Sequence, residues 1–400
     1  MNNMTNKNDP AFVKLDIFCK GLFIDKSCEL EKDARAILRT RGGLGSGLEM
    51  ILPKGIWANA PLEEHFVKNS PYKLFKENGQ YKLYCKDEFL FEVTPPPRPK
   101  FYDLETSSGK KMSRIGVMQG TYLGIYANEL CNFWDMKPKQ NCRFCSIGLN
   151  IGKTEEEVKT VQDVVETIKA AMKEEKITFV HFNTGFMYGR GVKSLLPFIK
   201  AVKKETGLLV GVQCPPAEDF KIYDELKSLG VDHLSFCIEI FSPNYFKEVC
   251  PGKDAKISQQ RYLDAIAYTS KLFGKGRVAG EIIAGLEPVK DSIAGIEWFA
   301  EHGAVTTLCV FRPCLGTNFA NRDPPKVKEV LPAFERLYDA AIENDVLLNM
   351  APNIRTAMVM LPEECKAFSN KNNLGFKLRE AKQNLIRIVA RAYFAAKLFK

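Results

Sequence analysis

From about residue 115 onward, short apolar runs alternate with stretches of helical period. The run "GTYLGIYAN" (120–128) is followed by "TVQDVVETIKAAMKEE", whose apolar residues recur at helical spacing, and then by "ITFVHFNTG" (177–185). The rhythm repeats with "VKSLLPFIKAVKKET" as helix, "LLVGVQCPP" (208–216) as strand, "EDFKIYDELKSLG" as helix and "HLSFCIEIF" (233–241) as strand. A helix near 258–273 leads to "GRVAGEIIAGLEP" (276–288), and another near 291–302 leads to "VTTLCVFRP" (305–313). Continuous apolar runs joined by helices are the pattern of parallel strands covered on both faces. Six such units predict an α/β fold, a parallel sheet curled partly or fully into a TIM-type barrel, with its chemistry at the C-terminal strand ends.

Upstream the period changes. "YKLFKENGQYKLYCKDEFLFEV" (72–93) alternates apolar and polar residues around an Asn-Gly pair, which predicts a hairpin in an α+β domain. The proline-rich "TPPPRPK" (94–100) denies the backbone its donors and marks a boundary. The expected organisation is an amino-terminal domain over 1–95, a linker over 96–114, the barrel over 115–365 and a terminal helix over 366–400. That helix places Leu378, Ala381, Leu385, Ile388, Ala392 and Phe399 on one stripe. It is expected to dock on the barrel with its basic face in solvent.

Composition narrows the setting. With 45% hydrophobic and 26% charged residues among 400, the chain can bury a large core, and its length exceeds what one core usually serves. No secretory signal and no long apolar run is evident, so a cytoplasmic location is expected and no membrane partner. Twelve cysteines in such a chain read as thiols or metal ligands rather than a disulfide framework. The net charge of +9 favours anionic partners, with nucleic acid a minority choice.

The chemistry gathers in "CNFWDMKPKQNCRFCSIG" (131–148), just after the first barrel strand. Ten residues separate Cys131 from Cys142 and two separate Cys142 from Cys145. Structural zinc normally takes four protein ligands and catalytic zinc three plus water. None of the four histidines, His65, His181, His233 and His302, is near in sequence, although the fold could bring His181 closer. An iron–sulfur cube held by three thiolates leaves one iron open, and that fits three cysteines better.

On these residues the chain resembles the radical S-adenosylmethionine (SAM) enzymes, with the usual three-residue first gap widened by the insert "WDMKPKQ". The pieces "NELCN" and "NCRFC" match the family motif, and Phe144 stands where an aromatic precedes the last cysteine. The resemblance implies one [4Fe-4S] cluster on Cys131, Cys142 and Cys145, with SAM on the open iron. It implies SAM contacts from Phe144, from Asn183, Thr184 and Gly185 at the end of the second strand, and from Glu239 on the fourth. Ile283 and Gly285 in "GEIIAGLEP" would lie beside adenine, as in the biotin synthase-like subgroup. Arg312 in "VFRPCLGTNFANRDPP" would hold the SAM carboxylate or an anionic substrate, or form a barrel-rim ion pair. A buried Glu239 requires a cationic or hydrogen-bonding partner. Tyr188, Gln213 and Arg312 are the candidate substrate residues.

The implied activity is reductive cleavage of SAM to a 5′-deoxyadenosyl radical that abstracts hydrogen from a modest-sized, perhaps anionic, substrate in cofactor or natural-product biosynthesis. An electron donor such as flavodoxin or ferredoxin is implied with it. Cobalamin is unlikely on this reading, since no Asp-x-His-x-x-Gly occurs, and the scattered remaining cysteines disfavour sulfur insertion from a second cluster. Two other readings stay open: a zinc-stabilised barrel that binds RNA or hydrolyses its substrate, and an iron–sulfur electron-transfer or scaffold protein that leaves SAM intact.

Overall fold

The computed structural model describes residues 8–30, 47–174, 177–349 and 358–398, with side chains as far as Val389. The amino-terminal part begins with a helix, Pro10–Lys20, capped by the Asp9 carboxylate. Its strands are β1 (Phe23–Ile24), β2 (Leu48–Leu52), β3 (Ile56–Ala60), β4 (Tyr72–Glu77), β5 (Gln80–Cys85) and β6 (Glu88–Val93). They form one sheet in the order β1-β4-β5-β6 and a separate β2-β3 hairpin. The expected Asn-Gly turn joins β4 to β5, with Asn78 at φ 51° and Gly79 at φ 83°. Both left-handed residues match the twist of the strands they connect. Lys86 and Asp87 repeat that geometry between β5 and β6 without glycine or asparagine to announce it.

The second sheet contains β7 (Val117–Gln119), β8 (Tyr122–Tyr126), β9 (Phe179–Asn183), β10 (Leu209–Gln213), β11 (His233–Glu239), β12 (Val278–Ala284), β13 (Val305–Val310) and β14 (Val359–Met360). Strands β8 to β13 are the six apolar runs of the sequence, each paired in parallel with the next. The short strands β7 and β14 pair antiparallel at the two edges, so the sheet curls but does not close. The fold is therefore the partial barrel among the expected alternatives. Every residue of β13 is buried, as a strand covered on both faces must be.

The open side is met by the amino-terminal part. The fully buried Lys14 on the first helix forms an ion pair with the largely buried Glu364, 2.7 Å, beyond the last strand. Arg312, just past β13, reaches into the β2-β3 hairpin, donating to the Asn59 carbonyl at 2.6 Å and to Asn59 Oδ1 at 3.1 Å. Glu64 lies 3.7 Å from the same guanidinium.

The terminal helix, Leu374–Leu398, departs from expectation. It docks through Phe376 and Gln383, while Leu378, Ala381, Leu385 and Ile388 face outward. The face that docks is held by polar contacts, notably Lys366 to Glu380 at 2.7 Å, rather than by the apolar stripe. The side chain of Ala392 and the whole of Phe399 lie outside the described residues. No helix among the described residues is long and apolar enough to cross a membrane.

His181 and His233 sit together inside the barrel, packed against Tyr122 and Phe179, without a hydrogen-bond partner on His181 Nε2 or either ring nitrogen of His233. Burial, with a smaller contribution from its neighbour, pushes His181 down to about 3, and burial pushes His233 down to about 4. Because the folded state binds the neutral rings, their contribution is complete above the unfolded value of about 6.5 and is lost as pH falls toward the folded values. Between pH 6.5 and 5, wild type is expected to lose about 2 kcal/mol more than His233→Leu, measured by urea unfolding at each pH. Parallel pH dependences would show that His233 is not buried neutral.

Candidate active site

The loop leaving β8 carries Cys131, then a short turn, Asn132–Trp134. The insert that widens the cysteine spacing swings outward. Asp135, Lys137, Pro138 and Lys139 are exposed, and the excursion closes where Gln140 N donates to the Phe133 carbonyl at 2.9 Å. That closure returns Cys142 to the neighbourhood of Cys131. A further tie, Cys145 N to the Cys142 carbonyl at 3.0 Å, turns Cys145 back toward both.

Two other segments brace the loop. Phe133 stacks on Phe186, ring centres 4.5 Å apart and planes 5° from parallel, while Asn132 N donates to the Phe186 carbonyl at 2.9 Å. The chain after β11 bonds it twice, Arg143 N to the Val249 carbonyl at 2.9 Å and Gly252 N to the Gln140 carbonyl at 3.0 Å. Gly252 is required there: a Cβ would stand 2.6 Å from both that carbonyl and the Phe133 ring.

The three cysteines line one chamber at the C-terminal ends of the strands. Cys131 and Cys142 are buried and Cys145 half-buried, all as free thiols. Burial pushes the Cys131 thiol up to about 11 and Cys145 higher still, with each sulfur raising its neighbours further. Cys142 goes the other way, lowered chiefly by a hydrogen bond from the Cys250 thiol. Thiols this crowded and dry become thiolates only around a cation. An iron–sulfur cluster would be such a cation, and three thiols fit its donor set. No histidine lines the chamber, and His181 lies among the aromatic residues described above.

The remaining lining carries both apolar walls and a polar network. Phe144, Ile283, Trp134, Phe186 and Phe311 supply apolar surface. Gly185 presses on Cys131 so closely that a Cβ would stand 2.6 Å from the Cys131 Cβ and 2.8 Å from the Tyr126 hydroxyl. Opposite, Asn183 Nδ2 donates to Gln213 Oε1 at 2.6 Å, and Gln213 Nε2 donates to Glu281 Oε2 at 2.9 Å. Glu239 Oε1 accepts from Lys253 at 2.9 Å, and the Lys253 ammonium also reaches the Cys237 carbonyl. Burial and the nearby Glu239 push Glu281 up to about 8.

Of the residues marked in the sequence, Phe144, Asn183, Thr184, Gly185, Gln213, Glu239, Ile283 and Arg312 line this chamber. Two do not. Tyr188 points to solvent, 54% exposed, because the chain after β9 turns outward with its ring on Phe186. Gly285, at φ 97°, faces Pro325, which a Cβ would approach to 2.7 Å. Arg312 is taken up by Asn59 and Glu64, which makes it a tie between the two parts of the chain. Arg312 is buried rather than at the rim, with Glu64 3.7 Å away. Glu239 has the cationic partner its burial demands, in Lys253. Glu281 went unmarked, although it is a carboxylate on an apolar strand, the same signal that singled out Glu239. Nothing in the sequence spacing of Lys253 and Cys250 ties them to the cysteine loop.

No family model matches the chain. Over 129 residues it is 32% identical to bacteriochlorophyllide c C-7(1)-hydroxylase of Chlorobaculum limnaeum, a match covering 32% of each protein. The matched stretch spans about a third of that relative's length. Among solved structures, methylornithine synthase is similar at 17% identity and a TM-score of 0.43, over 55% of this chain and 62% of that one. HydG, a maturase of [FeFe]-hydrogenase, is similar at 16% and 0.44, over 64% and 58%. These two are partial likenesses of outline.

Proposed function

We propose that this chain is a radical SAM enzyme that holds one [4Fe-4S] cluster on Cys131, Cys142 and Cys145 and abstracts hydrogen from a small molecule seated in the chamber. The observation that carries the reading is three free thiols converging at the mouth of a parallel barrel, with no histidine among the chamber residues to complete a zinc site. A cluster held there by Cys131, Cys142 and Cys145 would supply the one-electron reduction that cleaves SAM.

The chain's own part is binding, orientation and exclusion of water. Thr184 and Gly185 offer backbone carbonyls beside Cys131, where the SAM ammonium can donate. Phe144 and Ile283 form an apolar wall suited to adenine. Trp134 lies flat on Gly148, whose Cβ would meet the indole at 2.3 Å, and so roofs the loop against water. Gln213 and Asn183, already bonded to each other, face the substrate's side.

The substrate class follows from what the lining leaves available. Lys253 and Arg312 are the cationic side chains of the lining, and each is engaged by a carboxylate or carbonyl. Glu281 and the second oxygen of Glu239 are lining acceptors that no cation engages. The chamber therefore suits a neutral or donor-rich substrate better than the anionic one suggested by the net charge. A flavodoxin or ferredoxin would supply electrons.

The test is anaerobic purification, iron–sulfur reconstitution, and incubation with SAM and a strong reductant. Formation of 5′-deoxyadenosine and methionine is expected. Iron-loaded protein that leaves SAM intact would favour an electron-transfer or scaffold role, and a colourless protein that retains zinc would favour the zinc-stabilised alternative.

A further inference from the structure

Deep in the chamber, three donor atoms from two neighbouring strands converge without being part of the cysteine loop. Cys237 Sγ and a carboxylate oxygen from each of Glu239 and Glu281 all lie within 4.8 Å of one another. The strands place them there: Cys237 pairs directly with Glu281 across β11 and β12, and the register shifts between Cys237 and Glu239. Glu239 adopts φ 73°, a left-handed conformation that a non-glycine residue holds only when its surroundings enforce it. The bulge aims the Glu239 carboxylate into the chamber.

The surrounding bonds leave ligand capacity unused. Lys253 occupies Glu239 Oε1, while Glu239 Oε2 is buried with no hydrogen-bond partner, in a residue only 6% exposed. A buried carboxylate oxygen without a donor costs free energy that a ligand would recover. Gln213 holds Glu281 by its Oε2, in the manner of an outer partner that orients a ligating carboxylate.

We propose that Cys237, Glu239 and Glu281 bind one divalent transition-metal ion, zinc or ferrous, with an open position facing the chamber. Binding would displace the protons of Glu281 and Cys237, and the charges then close: two carboxylates and a thiolate carry three negative charges, Lys253 returns one positive, and a divalent ion neutralises the remainder. The sulfur donor selects zinc or iron over magnesium or calcium, which take oxygen alone. Three protein ligands with one position left over is the arrangement of a catalytic rather than a structural site. The contraction needed to reach ordinary ligand distances is about 1 Å per donor, within the reach of side-chain torsions. A substrate heteroatom bound in the open position would be fixed on the side of the chamber away from the loop thiols.

The experiment uses cluster-loaded protein, its iron content confirming that the loop thiols are occupied, treated with zinc sulfate and no SAM. One zinc per chain is expected after desalting. X-ray absorption at the zinc edge should show a single sulfur and otherwise oxygen or nitrogen ligands. Cys237→Ser and Glu281→Gln should each weaken zinc binding by at least about tenfold while iron content holds. Absence of stoichiometric zinc, a shell of two or more sulfurs, or unchanged affinity in both variants would overturn the assignment. The ligand shell is read on wild type, so a variant that fails to fold does not remove the test. Because SAM takes no part, a negative result here leaves the proposed SAM cleavage standing.

Discussion

Cys142→Ala is expected to lose nearly all of the about four irons per chain that reconstitution should install, while Cys250→Ala keeps them. Both thiols are buried, and the Cys250 thiol bonds to the Cys142 sulfur. Sequence spacing cannot choose between a site of three thiols and one of four. The structure separates them by attachment. Cys142 belongs to the loop whose turns return it to Cys131 and Cys145, whereas Cys250 sits at a helix junction after β11 and touches the loop from outside. A hydrogen bond to a ligating sulfur tunes a cluster without holding it. Iron and sulfide content, with 5′-deoxyadenosine formation, decide the matter. If Cys250→Ala loses iron as fully as Cys142→Ala, four thiols fill every corner, no iron is left for SAM, and the proposed function fails.

Legibility in the sequence followed the range of the interactions concerned. The six parallel strands could be read because burial on both faces writes a continuous apolar run into each, as in "VTTLCVFRP". The β4-β5 hairpin could be read because its turn demands left-handed residues, which Asn78 and Gly79 supply locally. The loop cysteines could be read because three of them lie within fifteen residues of one another. By contrast, the fate of Arg312 depends on Asn59, which is 253 positions away. No local pattern encodes that pairing. The terminal helix misleads for a related reason: amphipathicity states which face is apolar, and packing elsewhere decides which face docks. The docking face meets Tyr338, whose ring lies 6.2 Å from that of Phe376 and whose hydroxyl bonds Glu380, and Lys366 adds the ion pair to Glu380. Glu281 is the instructive omission. The argument that a carboxylate on a buried strand must have a purpose was applied to Glu239 and holds equally one strand over.

Lys253→Met is expected to destabilise the protein by about 3–5 kcal/mol, a large share of a typical domain's stability. The ammonium is the partner of Glu239 in a pair whose side chains are 10% and 8% exposed. Removing it leaves a carboxylate in a place where water cannot replace the lost bond. The cost is therefore set by the charge left behind rather than by the strength of the pair. Adding Glu239→Gln to the same chain removes that charge, so the double variant should recover most of the loss. Urea unfolding of the metal-free, reduced proteins measures all four corners of the cycle. A single variant within about 1 kcal/mol of wild type would mean that water reaches Glu239. A double variant no more stable than the single would place the cost in lost packing of the lysine stem against Tyr262, over whose ring the ammonium lies at 5.5 Å. The predicted recovery separates charge from packing, and it matters for the chamber because Lys253 fixes which oxygen of Glu239 stays unpartnered.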